Sequence, residues 1–222
     1  MINQIINSNC LDILFQIESK SIDLVLTDIP YDEVYRPNNG LRNLDKGNAD
    51  ILTFDLDKFL FEINRICRGS HYIFCGTLQI SKILSYFKEV NLSTRMCVWQ
   101  KSNPSPMNGQ HIWLSGLECC AFAKNKNATF NEHCKSGIWK YPSSRNKYHP
   151  TEKPLALFKY LIETSTNPGD IILDPCLGAG TTALAAIASG RRYIGIELFK
   201  DYYDIALQRI DYLQGDIVYR HP

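Results

Sequence analysis

The 222-residue chain contains eight cysteines but no C-x-x-C pair. Cys10, Cys67, Cys75, Cys97, Cys119, Cys120, Cys134 and Cys176 are scattered, mostly within apolar runs where a free thiol behaves as a small hydrophobe. That spacing excludes a zinc ribbon or a dithiol redox motif, and His133 beside Cys134 is a single ligand pair, too few for a metal site. Reduced thiols and no metal are expected. No uninterrupted apolar stretch approaches the length that spans a bilayer, and the N-terminus lacks the basic-then-apolar pattern of a secretion signal. A cytoplasmic protein without a membrane partner is the expectation. Repeats, low-complexity tracts and an interdomain linker are also missing, so the length predicts one domain over residues 1–222.

The net charge is only +1, and it demands no polyanionic partner by itself. Its distribution is uneven. Residues 1–60 carry ten acids against five bases, whereas 124–153 carry seven bases against Glu132 and Glu152. Such a basic segment can grip phosphates, and it suits a solvated loop equally well.

Seven short runs rich in Ile, Val, Tyr, Phe or Cys read as buried strands: INQIIN, IDLVLTD, HYIFCG, RMCVWQK, LECCAFAK, DIILD and RYIGIE. Stretches of helical period lie between several of them. LDKFLFEINRIC puts Phe59, Leu60, Ile63 and Cys67 on one face, and QISKILSYFKEV does the same with Ile80, Ile83, Leu84 and Phe87. TEKPLALFKYLIETS is read with Thr151 as its cap and Pro154 in the first turn. TTALAAIAS stops at Gly190, and KDYYDIALQRIDYL is the last helix. Alternation of this kind predicts a mostly parallel sheet covered on both faces. Segments 32–54, 101–116 and 125–150 break the rhythm and read as functional loops.

Chemistry concentrates in two stretches. In DIILDPCLGAGTTALAAIASGRRYIGIEL a strand ends at Asp174, a turn with Gly178 and Gly180 follows, and a helix of small residues opens at Thr181. One strand later comes Glu197, where a carboxylate suits a ribose diol. No lysine follows Gly180, which disfavours a triphosphate loop, and LGAGTT lacks the third glycine of a dinucleotide fingerprint. What fits is a nucleoside cofactor without phosphates, with Asp174 free for a cationic amine: S-adenosylmethionine has that chemistry.

The second stretch is TDIPYD, Thr27 to Asp32. An exocyclic amine on a nucleobase is a poor nucleophile because its lone pair is delocalised into the ring. Holding both amine hydrogens frees the pair. Asp28 can accept one, and the carbonyl of Ile29 or Pro30 the other, with Pro30 biasing Ile29 to extended geometry. Tyr31 offers a ring on which a flipped base can stack.

TDIPY and DPCLGAGTT, with HPTEKP between them, resemble the motifs of the DNA amino-methyltransferases, which use D-P-P-Y or S-P-P-Y and an F-x-G-x-G-like cofactor motif. The order, catalytic motif first, is similar to the permuted beta class. The resemblance runs from INSNCLDIL to DYYDIALQRI. It implies a circularly permuted seven-stranded, Rossmann-like S-adenosylmethionine-dependent methyltransferase sheet with helices on both faces. It implies a bacterial or phage enzyme acting in the bacterial cytoplasm.

Residue by residue, the resemblance implies catalysis by Asp28, Ile29, Pro30 and Tyr31. The implied cofactor contacts are Asn9 and Cys10 near the adenine, Lys153 toward the methionine carboxylate, and Asp28, Asp174, Pro175, Gly178, Gly180, Thr181, Thr182, Glu197 and Leu198. A helix start is an equally good account of the Lys153 segment. Double-stranded DNA is the implied partner, met by Arg36, Arg42 and Lys46 after the catalytic motif and by Arg145, Lys147 and His149, with a short recognition insertion at roughly 101–149. Homodimerisation and a cognate restriction nuclease are further partners that the family offers.

Two departures stand out. Asn9 replaces a frequent aspartate, and Ile29 replaces the first proline, keeping the carbonyl but giving up a ring's rigidity. An acid in the first position resembles the adenine-modifying members more than the S-P-P-Y cytosine ones. N6 of adenine is therefore the expected target, with N4 of cytosine as the alternative. An RNA- or glutamine-modifying enzyme and a non-catalytic nucleic-acid-binding subunit are the readings from other classes.

Overall fold

A computed structural model describes residues 1–31, 52–106, 109–144 and 152–220, the last with side chains to Gly215. In chain order the elements are β1 (Gln4–Asn7), α1 (Cys10–Leu14), β2 (Ile22–Asp28), α2 (Leu56–Ile66), β3 (Cys67–Cys75), α3 (Ile80–Glu89), β4 (Ser93–Lys101) and β5 (Leu117–Lys124). They continue as β6 (Ile138–Tyr141), α4 (Leu155–Ser165), β7 (Ile171–Asp174), α5 (Thr181–Ala188), β8 (Arg192–Glu197) and α6 (Lys200–Arg220).

Among the described residues, eight strands join one sheet in the order β1-β8-β7-β2-β3-β5-β4-β6. From β1 to β3 every neighbour is parallel, while β5 runs antiparallel to both β3 and β4. The expected seven strands are present, and β6 is an eighth, parallel to β4 at the edge. Its four residues, with Ile138 exposed, have too little alternation to stand out, and only pairing with distant β4 makes them a strand. The five-residue helix α1 was equally hidden, being shorter than two turns. α4 begins at Leu155 with Pro154 as its N-cap residue, not with Thr151, which lies outside the described residues.

Strand side chains alternate between two apolar layers, as the pleat requires. Leu24, Leu26, Tyr72 and Phe74 join the layer completed by α4, α5 and α6. Ile22, Val25, Ile73 and Cys75 join the other layer, beneath α1, α2 and α3. The interior thiols Cys10, Cys67, Cys75, Cys97 and Cys120 are buried and form no disulfide.

The chain leaves β2 toward β3 on one side and β7 toward β8 on the other, so the sheet reverses its winding between β2 and β7. In open α/β sheets, the crevice outside the carboxyl ends of the strands at such a point is where ligands bind. Asp28 and Asp174 are the last residues of those two strands.

At the opposite end, the β2–β3 register slips between Ile22 and Leu24, and Gly69 lies in that bulge. A Cβ there would sit 1.7 Å from the Asp23 carbonyl oxygen, so only glycine lets the backbones approach. Asp23 locks the bulge, accepting from Arg68 Nε at 2.7 Å and from the Ile171 N–H at 2.9 Å. Gly69→Ala is expected to lose about 3 kcal/mol or more, lowering the thermal midpoint by roughly 6–12 °C. An unshifted melting curve would show that the bulge absorbs the methyl group.

Candidate active site

A cleft of about 930 Å³, including open solvent, lies across the carboxyl ends of β2, β7 and β8. One side is the turn after β7. Gly180 has φ +88°, and a Cβ on it would lie 3.0 Å from the Ala206 Cβ, so glycine both turns the chain and admits α6. Asp174, 2 % exposed, braces the turn by accepting from the Cys176 N–H at 3.0 Å and from the Thr182 hydroxyl. Glu197 accepts from the Gly178 N–H and from the Phe199 N–H, each at 2.8 Å. Behind them, Arg209 donates to Glu152 at 2.7 Å and to the Ala179 carbonyl at 2.6 Å, pinning α6 beneath the turn.

Burial pushes the Asp174 carboxyl up to about 6, and the hydrogen bonds to it only partly oppose that rise. Burial raises Glu197 as well. Neither carboxylate has an ion-pair partner among the described residues, and each has lone-pair capacity beyond the donors it meets. Two dry carboxylates beside a Gly turn match a ligand that brings a cation and hydroxyl groups.

On the other side stands the turn that follows β2. Asp28 Oδ2 lies 2.5 Å from Lys153 Nζ, whereas Oδ1 is buried without a hydrogen-bond partner. Burial pushes this carboxyl up to about 6; Lys153 opposes the rise and Glu118 adds to it. The Pro30 carbonyl accepts from Gln79 Nε2 at 2.9 Å, and Gln79 Oε1 in turn accepts from the Gly76 N–H at 2.9 Å. Of the two carbonyls considered for the amine, Pro30's is thus engaged, and no donor among the described residues reaches that of Ile29. The Tyr31 hydroxyl donates to Glu118 Oε2 at 3.0 Å.

Ile29 repays its departure from proline in another way. Its N–H donates to the Phe74 carbonyl at 3.1 Å, a bond proline has no hydrogen to make, and its side chain is 1 % exposed in the layer under α1 and α2. The ladder supplies the rigidity that a ring would otherwise give.

Nearly every sequence-predicted catalytic and cofactor residue lines this one cleft: Asn9, Cys10, Asp28 to Tyr31, Lys153, Asp174, Pro175, Gly178, Thr181, Thr182, Glu197 and Leu198. Gly180 does not; it shapes the turn from behind. Asn9 Oδ1 caps α1 by accepting from the Leu11 N–H at 3.0 Å, so one lone pair is already engaged. The Lys153 ammonium, 3 % exposed for the residue, pairs with Asp28 and Glu118. Arg36, Arg42, Lys46, Arg145, Lys147 and His149 lie outside the described residues. Sequence reasoning missed Gln79, Glu118 and the Glu152–Arg209 brace. The available signal was Glu118 itself, an acid in the otherwise apolar run LECCAFAK.

A family profile described as DNA methylase, for the N6 and N4 enzymes, matches residues 22–208. The chain belongs to this N6/N4 DNA methylase family. Over 245 residues it is 31 % identical to the DNA adenine methyltransferase YhdJ of Escherichia coli, covering 93 % of this chain and 82 % of that one. It is 30 % identical to the type II methyltransferase M.HinfI of Haemophilus influenzae, covering 94 % and 68 %. The crystal structure of an M1.HpyAVI–SAM complex superposes with a TM-score of 0.72 at 28 % identity, covering 93 % and 98 %. Both motifs read from the sequence face the cleft described above.

Two consequences are measurable. Ile29→Pro forfeits one ladder bond and buried packing, so it is expected to lose about 2 kcal/mol in urea melts; a variant as stable as the parent would discount the Phe74 bond. For Asp174 the folded carboxyl titrates near 6 and the unfolded one near 4, so the native state binds the extra proton between those values. The stability linked to it is present below about pH 4 and lost as pH rises through about 6. Asp174→Asn is therefore expected to be about 2–3 kcal/mol more stable than the parent at pH 7.5, the gap closing toward pH 4. A pH-independent gap would refute the assignment.

Proposed function

We propose that the chain transfers a methyl group from S-adenosylmethionine to the exocyclic N6 amine of an adenine flipped out of double-stranded DNA. The observation that carries this reading is Asp28 Oδ1, a buried carboxylate oxygen without a partner, where the cofactor cleft meets the Tyr31 ring. A dry acceptor in such a place is costly unless a donor arrives. An amine with two hydrogens supplies one to Asp28 Oδ1 and one to the Ile29 carbonyl.

When bound, S-adenosylmethionine supplies an electrophilic methyl group on a sulfonium. The residues present fit it. Asp174 would hold the α-ammonium, Glu197 the ribose hydroxyls, and the Asn9–Cys10 segment the adenine. Asp28 and Ile29 orient the amine nitrogen so that its lone pair leaves conjugation with the ring. Pro30 is fixed by Gln79, so the turn does not recoil when the base enters. Tyr31 stacks on the base. Asp28, ionised at neutral pH yet titrating near 6, is the nearest base for the proton the nitrogen gives up. Positioning and fixed charge carry the reaction, and no covalent enzyme intermediate is required.

The duplex is expected across the rim where loop 102–116 and the segment after β6 leave the sheet beside Asp28. Asn103 and Ser143 tie these two pieces together by reciprocal bonds of 3.2 Å and 2.6 Å, and Trp113 stands 96 % exposed on the first of them. The basic loop residues Arg36, Arg42, Lys46, Arg145, Lys147 and His149 would add phosphate contacts, the stretch of roughly 101–149 acting as the recognition region of a single domain. Homodimerisation would widen that face, and a cognate nuclease would give the modification a protective role in the bacterial cytoplasm.

Expression in a methylation-free bacterial host followed by modification-sensitive sequencing tests this directly. N6-methyladenine in one short motif is the expected result, while N4-methylcytosine or unmodified DNA would overturn it. Asp28→Ala is expected to reduce transfer about a hundredfold or more while S-adenosylmethionine still binds. Retained methylation in that variant would remove Asp28 from the mechanism.

A further inference from the structure

The mechanism above leaves one half-buried carboxylate beside the catalytic turn without a task. Glu118 is the second residue of β5, which runs antiparallel to β3 and therefore enters the sheet at the Asp28 end. Its Oε1 lies 2.7 Å from Lys101 Nζ, and its Oε2 lies 3.0 Å from Lys153 Nζ. The same Oε2 accepts from the Tyr31 hydroxyl at 3.0 Å. Lys153 reaches on to Asp28 Oδ2 at 2.5 Å. The charges alternate along this chain of contacts as Lys101, Glu118, Lys153, Asp28, and each of the four side chains is less than one-fifth exposed: 18 %, 17 %, 2 % and 18 %.

A buried ion chain brings little net stability compared with apolar side chains of the same volume. What this one fixes is direction. Tyr31 can stack on a base in one plane only if its hydroxyl end is held, and Glu118 holds it. Lys153 has three hydrogens; with Asp28 as its sole counter-ion, it could close over both carboxylate oxygens. Drawn also toward Glu118, it covers Oδ2 and leaves Oδ1 unclaimed, as observed.

We propose that Glu118 is a positioning residue for methyl transfer, anchoring the Tyr31 ring through its hydroxyl and sharing the Lys153 ammonium so that Asp28 keeps one oxygen for the amine. This rests on the functional reading above. Lys101 is part of the same device, because it offsets the Glu118 charge from the side away from Asp28.

The test compares Glu118→Gln, Glu118→Leu and Lys101→Met with the parent on DNA carrying the recognised motif. Glu118→Gln keeps the size of the side chain and an acceptor for Tyr31 but removes the charge. It is expected to lower kcat roughly tenfold, with affinity for S-adenosylmethionine within about twofold of the parent. The acid limb of its kcat–pH profile should move to lower pH, because a negative neighbour of Asp28 is gone. Lys101→Met should move that limb the opposite way, and it keeps the inference testable if the glutamine variant does not fold. 2-Aminopurine at the target position should report altered stacking in Glu118→Leu, which removes the acceptor for the Tyr31 hydroxyl, and unaltered stacking in Glu118→Gln, which keeps it. An active parent whose Glu118→Gln and Lys101→Met variants keep its acid limb, and whose Glu118→Leu variant keeps its 2-aminopurine signal, would reduce Glu118 to a structural ion-pair partner and overturn the inference alone. A parent that methylates no DNA base overturns the functional reading, and this inference with it.

Discussion

Lys153 brings a full positive charge into a site where its side chain is 2 % exposed, and the geometry around it follows from that burden. A lone buried ammonium costs several kcal/mol or loses its proton, so the fold must surround it with negative charge. Asp28 and Glu118 do so, and together they outweigh burial and hold its proton more firmly than in water. The Tyr31 and Phe74 rings face it at 5.3 Å and 5.6 Å. One charge therefore ties the end of β2, the start of β5 and the segment before α4 into a single cluster. The turn after β2 is held in place by these contacts.

The same pair leaves Asp28 poised between two demands. A carboxylate fully neutralised by a lysine would be a weak acceptor, and an isolated buried one would be protonated at neutral pH. Burial and Glu118 push Asp28 upward while Lys153 draws it back, and the balance near 6 keeps it charged and still basic. In Glu118, burial acts upward too, but Lys153 and Lys101 outweigh it and bring the carboxyl to about 2. Two acids of one cluster thus have distinct characters because one has two lysine neighbours and the other shares one.

What was legible in the sequence is what is local. The Gly turn between Asp174 and Thr181, the strand that delivers Glu197 and the order of the motifs can be read from adjacent residues, because each depends on a strand ending where a helix begins. The helices of α2 and α3 announced themselves by period, and Asp55 caps the first of them. What stayed hidden depends on residues distant in the chain. β6 exists through pairing with β4, Gln79 matters because it reaches Pro30 from 49 residues away, and Lys153 meets Asp28 across 125. The ion pairs of Lys153 were hidden for the same reason: its sequence neighbours indicate a helix start, while its charge answers to carboxylates on β2 and β5. Ile29 reads as a loss against a proline-proline pattern, and only the register of β2 on β3 reveals the bond to Phe74 that compensates.

The cleft is also divided by charge, and that division matches the two molecules it would receive. On the base side, Asp28 and Glu118 are balanced by Lys153 and Lys101, giving a neutral wall for an uncharged nucleobase. Across from it, Glu152 is balanced by Arg209, but Asp174 and Glu197 have no cation among the described residues, and burial raises both. The uncompensated charge therefore lies where a sulfonium and an ammonium would be held, and a cationic donor relieves a cost that the protein alone carries. Loss of the methyl group would remove the sulfonium charge and leave the acidic wall unchanged. The attraction would then weaken on the product side of the reaction, so a wall that recruits the donor would also favour exchange of the spent one for a fresh cation.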